Sequence, residues 1–214
     1  PNPDVVLKAR RKKIVDSIST SLEGTYPVPD VIILAAPVRA ILQLLDQIPE
    51  YFPHKSIIFD LGSTKTDIML AMEKIPARFD PIGGHPMCGK EKSSLDFAEA
   101  TLFQGCPFAL CPLERTSVKA KVLASQVVDS LGGKALWLDA ASHDSWVAST
   151  SHLPYIIANA LVQSLPQEAA PLIGPGFRST SRLAGSDLTM MGDILLTNRS
   201  NILGKMRAFR SIFD

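Results

Sequence analysis

Ser56-Ile57-Ile58-Phe59-Asp60-Leu61-Gly62-Ser63-Thr64-Lys65 joins an apolar run of strand length to a glycine turn and a helix start. Apolar residues at consecutive rather than alternate positions suit a strand buried on both faces, as in a parallel sheet. The same grammar recurs upstream. Val31-Ile32-Ile33-Leu34-Ala35 reads as another such strand, and Pro37 opens a helix to about residue 48, where its missing N–H costs nothing. Downstream the pattern predicts a helix over 65–74, a short strand over 79–82, a strand over 106–111, a helix over 115–131 stopped by Gly132-Gly133, and a strand over 134–138. A further helix is expected over 4–20. Strands alternating with helices predict a doubly wound, Rossmann-type α/β parallel sheet.

Beyond Asp139 the character changes. Residues 141–164 have helical periodicity with Pro154 as an expected kink, a loop follows around Gly174-Pro175-Gly176, and two more helical stretches run to the end. The reading is two regions, a sheet-containing one over 1–140 and an all-helical one over 141–214.

Composition narrows the function classes. The 214 residues are 46% hydrophobic and 20% charged, enough to bury a core, and the net charge of +1 gives no global field for nucleic acid or an anionic membrane. No apolar run approaches the roughly 20 residues of a membrane helix. The three cysteines, Cys88, Cys106 and Cys111, lack metal-ligand spacing, so neither a metal site nor a disulfide framework is expected, and the expected setting is a reducing, cytoplasmic one. The first residue is Pro1, and the chain is expected to be part of a longer one.

Several runs carry residue types suited to chemistry. Asp60 to Lys65 lies at the carboxyl end of a predicted strand, where open α/β sheets bind ligands. There Gly62 allows a tight turn, and Ser63 and Thr64 offer hydroxyls beside a helix N-terminus that favours anions. The plainer alternative is that one of them simply caps the helix. Gly83-Gly84-His85-Pro86-Met87-Cys88-Gly89-Lys90-Glu91 reads as a loop after the next strand. Two glycines would let its backbone approach a ligand, and His85 can exchange a proton near neutral pH. His143 and His152 are nine residues apart, on opposite faces of a straight helix, so at most one of them is expected to reach the site. Arg178 and Arg182, four apart, would share one helix face and suit a substrate with carboxylates. The basic run from Lys8 to Lys13 reads either as a solvated helix face or as an aid in holding a 2′-phosphate.

Together these runs resemble the prephenate/arogenate dehydrogenase family of tyrosine biosynthesis. The matching stretches are Ile33-Leu34-Ala35-Ala36-Pro37-Val38, Asp60 to Lys65, Gly83-Gly84-His85-Pro86-Met87, Ser151-His152-Leu153-Pro154, and Gly176-Phe177-Arg178 through Ser186-Asp187, in the family's order. The resemblance implies a dinucleotide-binding domain over 1–140 lacking its first strands and glycine-rich turn, and a helical substrate and dimerisation domain over 141–214 lacking its end. It also implies oxidative decarboxylation of a cyclohexadienyl acid by NAD or NADP in a homodimer. By the family pattern His85 takes the ring hydroxyl's proton, and Ser63 orients that hydroxyl and the nicotinamide. Arg182 binds a substrate carboxylate, Arg178, Glu91 and His152 complete the substrate pocket, and Ala36, Pro37, Ser63 and Thr64 line the cofactor. Cys88, Tyr155 and Ser179 depart from the residues common in the family. The rival readings are another β-hydroxyacid-type dehydrogenase, a class that typically relies on a lysine and is disfavoured by the histidine-centred Gly83-Gly84-His85-Pro86 run, and a non-catalytic dimerising remnant.

Overall fold

A computed structural model describes residues 3–23, 28–89 and 95–214. The elements follow in the order α1 (Pro3–Arg11), β1 (Val31–Leu34), α2 (Val38–Tyr51), β2 (Ser56–Asp60), α3 (Thr66–Lys74), β3 (Phe79–Pro86), β4 (Pro107–Pro112), α4 (Val118–Ser130) and β5 (Lys134–Trp137). Then come only helices among the described residues: α5 (Ala140–Val147), α6 (Leu153–Ser164), α7 (Pro175–Ser181), α8 (Leu188–Thr197) and α9 (Arg199–Arg210). The fold is a Rossmann-like sheet domain followed by an all-helical region.

The strands lie side by side in chain order. β2 is buried along its whole length, as its unbroken apolar run predicts. Ile57 and Phe59 face α4 through Ala120, Ala124 and Val128, whereas Ile58 faces α2 and α3 through Ile41, Leu45 and Ile68. Each such side chain contributes roughly 1.5–3 kcal/mol on burial. β2 is therefore the strand on which both layers of helices pack.

The sheet departs from the all-parallel expectation at one seam. β1, β2 and β3 are parallel and β4 pairs parallel with β5, but β3 and β4 are antiparallel. A parallel neighbour needs a crossover, usually a helix. Between β3 and β4 the described residues hold only a short 3₁₀ turn, Leu95–Phe97, so the chain returns alongside. β1 stands at the sheet edge and Ile33 is exposed, so that strand is not buried on both faces.

Other boundaries differ for identifiable reasons. The first helix ends at Arg11, not near residue 20, with Lys13 at φ 51°. Its last turn carries Lys8, Arg10 and Arg11, which the negative helix end favours, while continuing through Lys12 and Lys13 would stack like charges. Pro175 and Gly176 begin α7 rather than lying in a loop.

The largest change concerns β3, which runs on through Gly83, Gly84, His85 and Pro86. These residues are strand, not loop. A Cβ on Gly84 would lie 2.5 Å from a Phe59 ring carbon and 3.0 Å from the Asp60 carbonyl oxygen, and one on Gly83 would lie 2.6 Å from Met69 Sδ. The glycines let β3 pass close over β2 and α3, which is an internal packing requirement. Gly84→Ala should accordingly cost about 1–3 kcal/mol through overpacking. Gly89→Ala, with nothing among the described residues within 4 Å of its added carbon, should stay within about 0.5 kcal/mol. Urea unfolding of both variants measures this, and equal midpoints would contradict the packing account.

Candidate active site

β2 ends at Asp60, opposite Gly83 in register, while the parallel β3 runs on to Pro86. Just beyond this level the chain places Ser63 in the turn that leads to α3 and His85 in the last residues of β3. Lys65 ties the two strands together. Its ammonium is fully buried, 2.5 Å from Asp60 Oδ1, and donates to the Gly84 carbonyl at 2.8 Å. Burial drives the Asp60 carboxyl above its ordinary range, an effect that the Lys65 charge opposes.

α3 is capped neither by Ser63 nor by Thr64. Asp144, from α5, provides the cap: its Oδ1 accepts the Lys65 N–H and its Oδ2 the Thr66 N–H, both at 2.8 Å. Asp144 is 1% exposed. Burial pushes its carboxyl up, but hydrogen bonds from the His143 side chain, Thr66 and Lys65 outweigh that and hold it below the usual range. Oδ1 also lies 2.8 Å from His143 Nδ1. His143 Nε2 is in turn 2.9 Å from His85 Nδ1, the rings meeting edge to face.

His152 joins the same region by a wide turn. Residues 148–152 form a π-helical segment between α5 and α6, closed by the Leu153 N–H on the Ala148 carbonyl. Such a turn offsets the helix by about one residue, roughly 100° of rotation. Pro154, which has no N–H to continue the α pattern, follows at the start of α6. His143 and His152 are both buried as a result, and the straight-helix expectation that at most one would reach the site fails. The Asn198 amide donates to the Asp144 carbonyl at 2.7 Å and lies 3.2 Å from His152 Nδ1. Burial, then the neighbouring His143, Lys65 and His152, keep the half-buried His85 imidazole well below its ordinary pKa, against a smaller opposing pull from Asp144. Burial likewise lowers His152 to about 4. Both rings are therefore neutral at neutral pH, and a neutral imidazole can accept a proton.

The sequence matches two family descriptions end to end, "Prephenate dehydrogenase, nucleotide-binding domain" over residues 1–137 and "Prephenate dehydrogenase, dimerization domain" over residues 139–213. The chain belongs to the prephenate dehydrogenase family. It is 29% identical over 200 residues to prephenate dehydrogenase of Bacillus subtilis, covering 90% of this chain and 54% of that protein. It is 31% identical over 215 residues to the Lactococcus lactis enzyme of the same name, covering 96% and 58%. The chain thus spans little more than half the length of these relatives. Among solved structures it resembles prephenate dehydrogenase of Aquifex aeolicus in complex with hydroxyphenyl propionate and NAD+, with a TM-score of 0.88, 30% identity, and coverage of 99% of this chain and 76% of that one. Arogenate dehydrogenase of Synechocystis gives a TM-score of 0.80 at 28% identity, covering 100% and 78%.

Within this prephenate dehydrogenase framework the residues singled out from sequence are variously placed. Ser63 is half-buried at the strand ends, and Ala36 (half-buried) and Pro37 (exposed) follow the end of β1. Thr64 is 1% exposed, its hydroxyl 2.8 Å from that of Thr197 in α8. Arg178 in α7 and Arg182 just after it are exposed, outside the histidine network. Glu91 lies outside the described residues. The sequence reading left out Lys65, Asp144 and Asn198, and allowed for only one of His143 and His152, although all five are joined here. A usable signal was present: a His-Asp pair on the same helix as the apolar Val147 is costly to bury without partners.

The histidines make stability depend on pH. His152 has a folded-state pKa depressed from 6.5 to about 4, so the unfolded chain takes up its proton first as the pH falls. The stability present above 6.5 is lost progressively towards pH 4, by roughly 3 kcal/mol at about 1.4 kcal/mol per unit. His152→Asn, which keeps an acceptor for Asn198, should flatten this loss. Urea midpoints at pH 7 and pH 4.5 measure it; parallel loss in wild type and variant would rule out the His152 contribution.

Proposed function

We propose that this protein oxidatively decarboxylates prephenate or arogenate with NAD or NADP as hydride acceptor, and that its two regions, dividing near residue 140, serve the cofactor and the substrate and dimer contacts respectively. The observation that carries the reading is a neutral, partly accessible His85 at the ends of β2 and β3, in a chain that matches both halves of the family. The Aquifex relative's bound hydroxyphenyl propionate and NAD+ support the substrate and cofactor classes.

The residues present suit a nicotinamide cofactor. Ala36 and Pro37 present no bulky polar side chain after β1, and Ser63 follows the end of β2, where Leu34 and Asp60 pair in register, so neighbouring strand ends are left open to a flat ring. When bound, the cofactor supplies the hydride acceptor. His85 takes the proton from the ring hydroxyl, and the O–H bonding pair forms the carbonyl as the C–H bond gives up hydride. The bond to the ring carboxylate then breaks, carbon dioxide leaves, and its electron pair aromatises the ring, the former carbonyl oxygen recovering a proton. Ser63 orients the hydroxyl, Arg182 meets a carboxylate, and Arg178, Glu91 and His152 shape the rest of the pocket.

The exposed Leu172, Leu188 and Leu196 of the helical region, together with the dimerization description of its family match, support a homodimer. The free thiols of Cys88, Cys106 and Cys111 support a cytoplasmic setting; among the described residues no helix is long and apolar enough to cross a membrane.

Absorbance of reduced nicotinamide, recorded for the complete protein with prephenate and with arogenate and each of NAD and NADP, tests the function. At least one pair should turn over; silence with all four would refute it. With the active pair, His85→Asn should lower kcat roughly 10²–10⁴-fold, the usual worth of a general base. Arg182→Ala should chiefly raise KM; an unaltered KM would make Arg182 a structural residue.

A further inference from the structure

The contacts around His85 determine more than its neutrality, because they constrain where its one proton sits. Asp144 is an ionised carboxylate and can only accept hydrogen bonds. Two of its accepting positions are filled by the Lys65 and Thr66 N–H groups at the positive end of α3, which already offset much of its charge. His143 Nδ1, 2.8 Å from Oδ1, must therefore carry a proton and donate it. In a singly protonated ring, Nε2 of His143 is then a bare acceptor. That nitrogen lies 2.9 Å from His85 Nδ1, and two bare nitrogens cannot share a hydrogen bond, so His85 Nδ1 supplies the proton. The remaining ring nitrogen of His85, Nε2, is left with a lone pair.

We propose that His143 and Asp144 are positioning residues that hold His85 in its Nδ1–H tautomer and so make Nε2 the atom that accepts the substrate's proton. The proposal deepens the reading of His85 as the base and rests on it for the source of that proton. In the step itself the hydroxyl O–H bond breaks and a bond forms from hydrogen to Nε2. The imidazolium so made keeps its Nδ1–H on His143, whose own N–H meets the Asp144 carboxylate, so the new charge is stabilised through a ring that need not touch substrate. The charged and titratable groups facing His85 are His143 and Asp144 of α5, Lys65 at the start of α3, and His152 of the π segment.

The arrangement also explains why a histidine and an aspartate are adjacent on α5. Asp144 caps α3 and fixes the His143 ring in one operation, so the orientation of the base is coupled to the contact between the sheet domain and the helical region.

The test reads the tautomer directly. Long-range ¹H–¹⁵N correlation spectra of the histidine-labelled complete protein at neutral pH, with His85 assigned by its absence in His85→Asn, should show Nδ1 protonated and Nε2 bare. A protonated Nε2 on His85, as would follow if His143 carried two protons and donated from Nε2, overturns the proposal. His143→Leu removes the acceptor and should let His85 take the Nε2–H form, lowering kcat about 10²-fold with KM little changed. His143→Gln, whose carbonyl can accept from Nδ1, should keep the wild-type tautomer and most of kcat. A leucine variant that folds yet keeps both tautomer and turnover also overturns it. If that variant does not fold, the wild-type spectrum decides alone. The spectrum needs no substrate, so absence of dehydrogenase activity would refute the proposed reaction while leaving the tautomer assignment separately measured.

Discussion

The Asp144 carboxylate is the contact on which the rest of the site depends. One side chain from the helical region closes the N-terminus of α3 and holds His143 against His85. Removing it would leave one buried and one partly buried backbone donor without their acceptor, the buried one costing about 1–3 kcal/mol, and would free the ring that lies against His85. Such a group cannot be replaced piecemeal, because its partners lie on two elements, the start of α3 and α5 itself. A carboxylate only 1% exposed is tolerated here because two backbone N–H groups and an imidazole meet its oxygens.

Around this contact the sheet provides precision. Gly83 and Gly84 allow β3 to run against Phe59 and Met69, and Lys65 passes beneath to hold the Gly84 carbonyl and Asp60. His85 therefore projects from a strand fixed on its parallel side by β2 and on its antiparallel side by β4, where it pairs with Ala109. A side chain carried on a strand is held more tightly than one on a loop, which suits the proton transfer proposed for His85.

Much of this was legible in the sequence, and the rest was hidden for physical reasons. The unbroken apolar runs located β1 and β2, and Gly132 marked the end of α4, where the backbone does adopt φ 70°. Periodicity cannot report strand direction, so the antiparallel seam between β3 and β4 was invisible. The glycines before His85 looked like a ligand approach because sequence does not reveal Phe59 lying behind them. His143 and His152 looked mutually exclusive because helical spacing assumes a uniform helix, and the π turn breaks that assumption. Lys65 and Asp144 are 79 residues apart, and nothing local announces that one caps the other's helix.

A neutral His85, kept neutral by its surroundings, is the proposed base. The most direct measurement is the pH dependence of kcat/KM for the preferred substrate from pH 4 to 8. Because burial and the neighbouring His143, Lys65 and His152 lower its pKa, the rate should hold level as the pH falls through 6.5 and decline only well below it. An acid limb at or above 6.5 would mean an ordinary, solvated imidazole and would contradict the account.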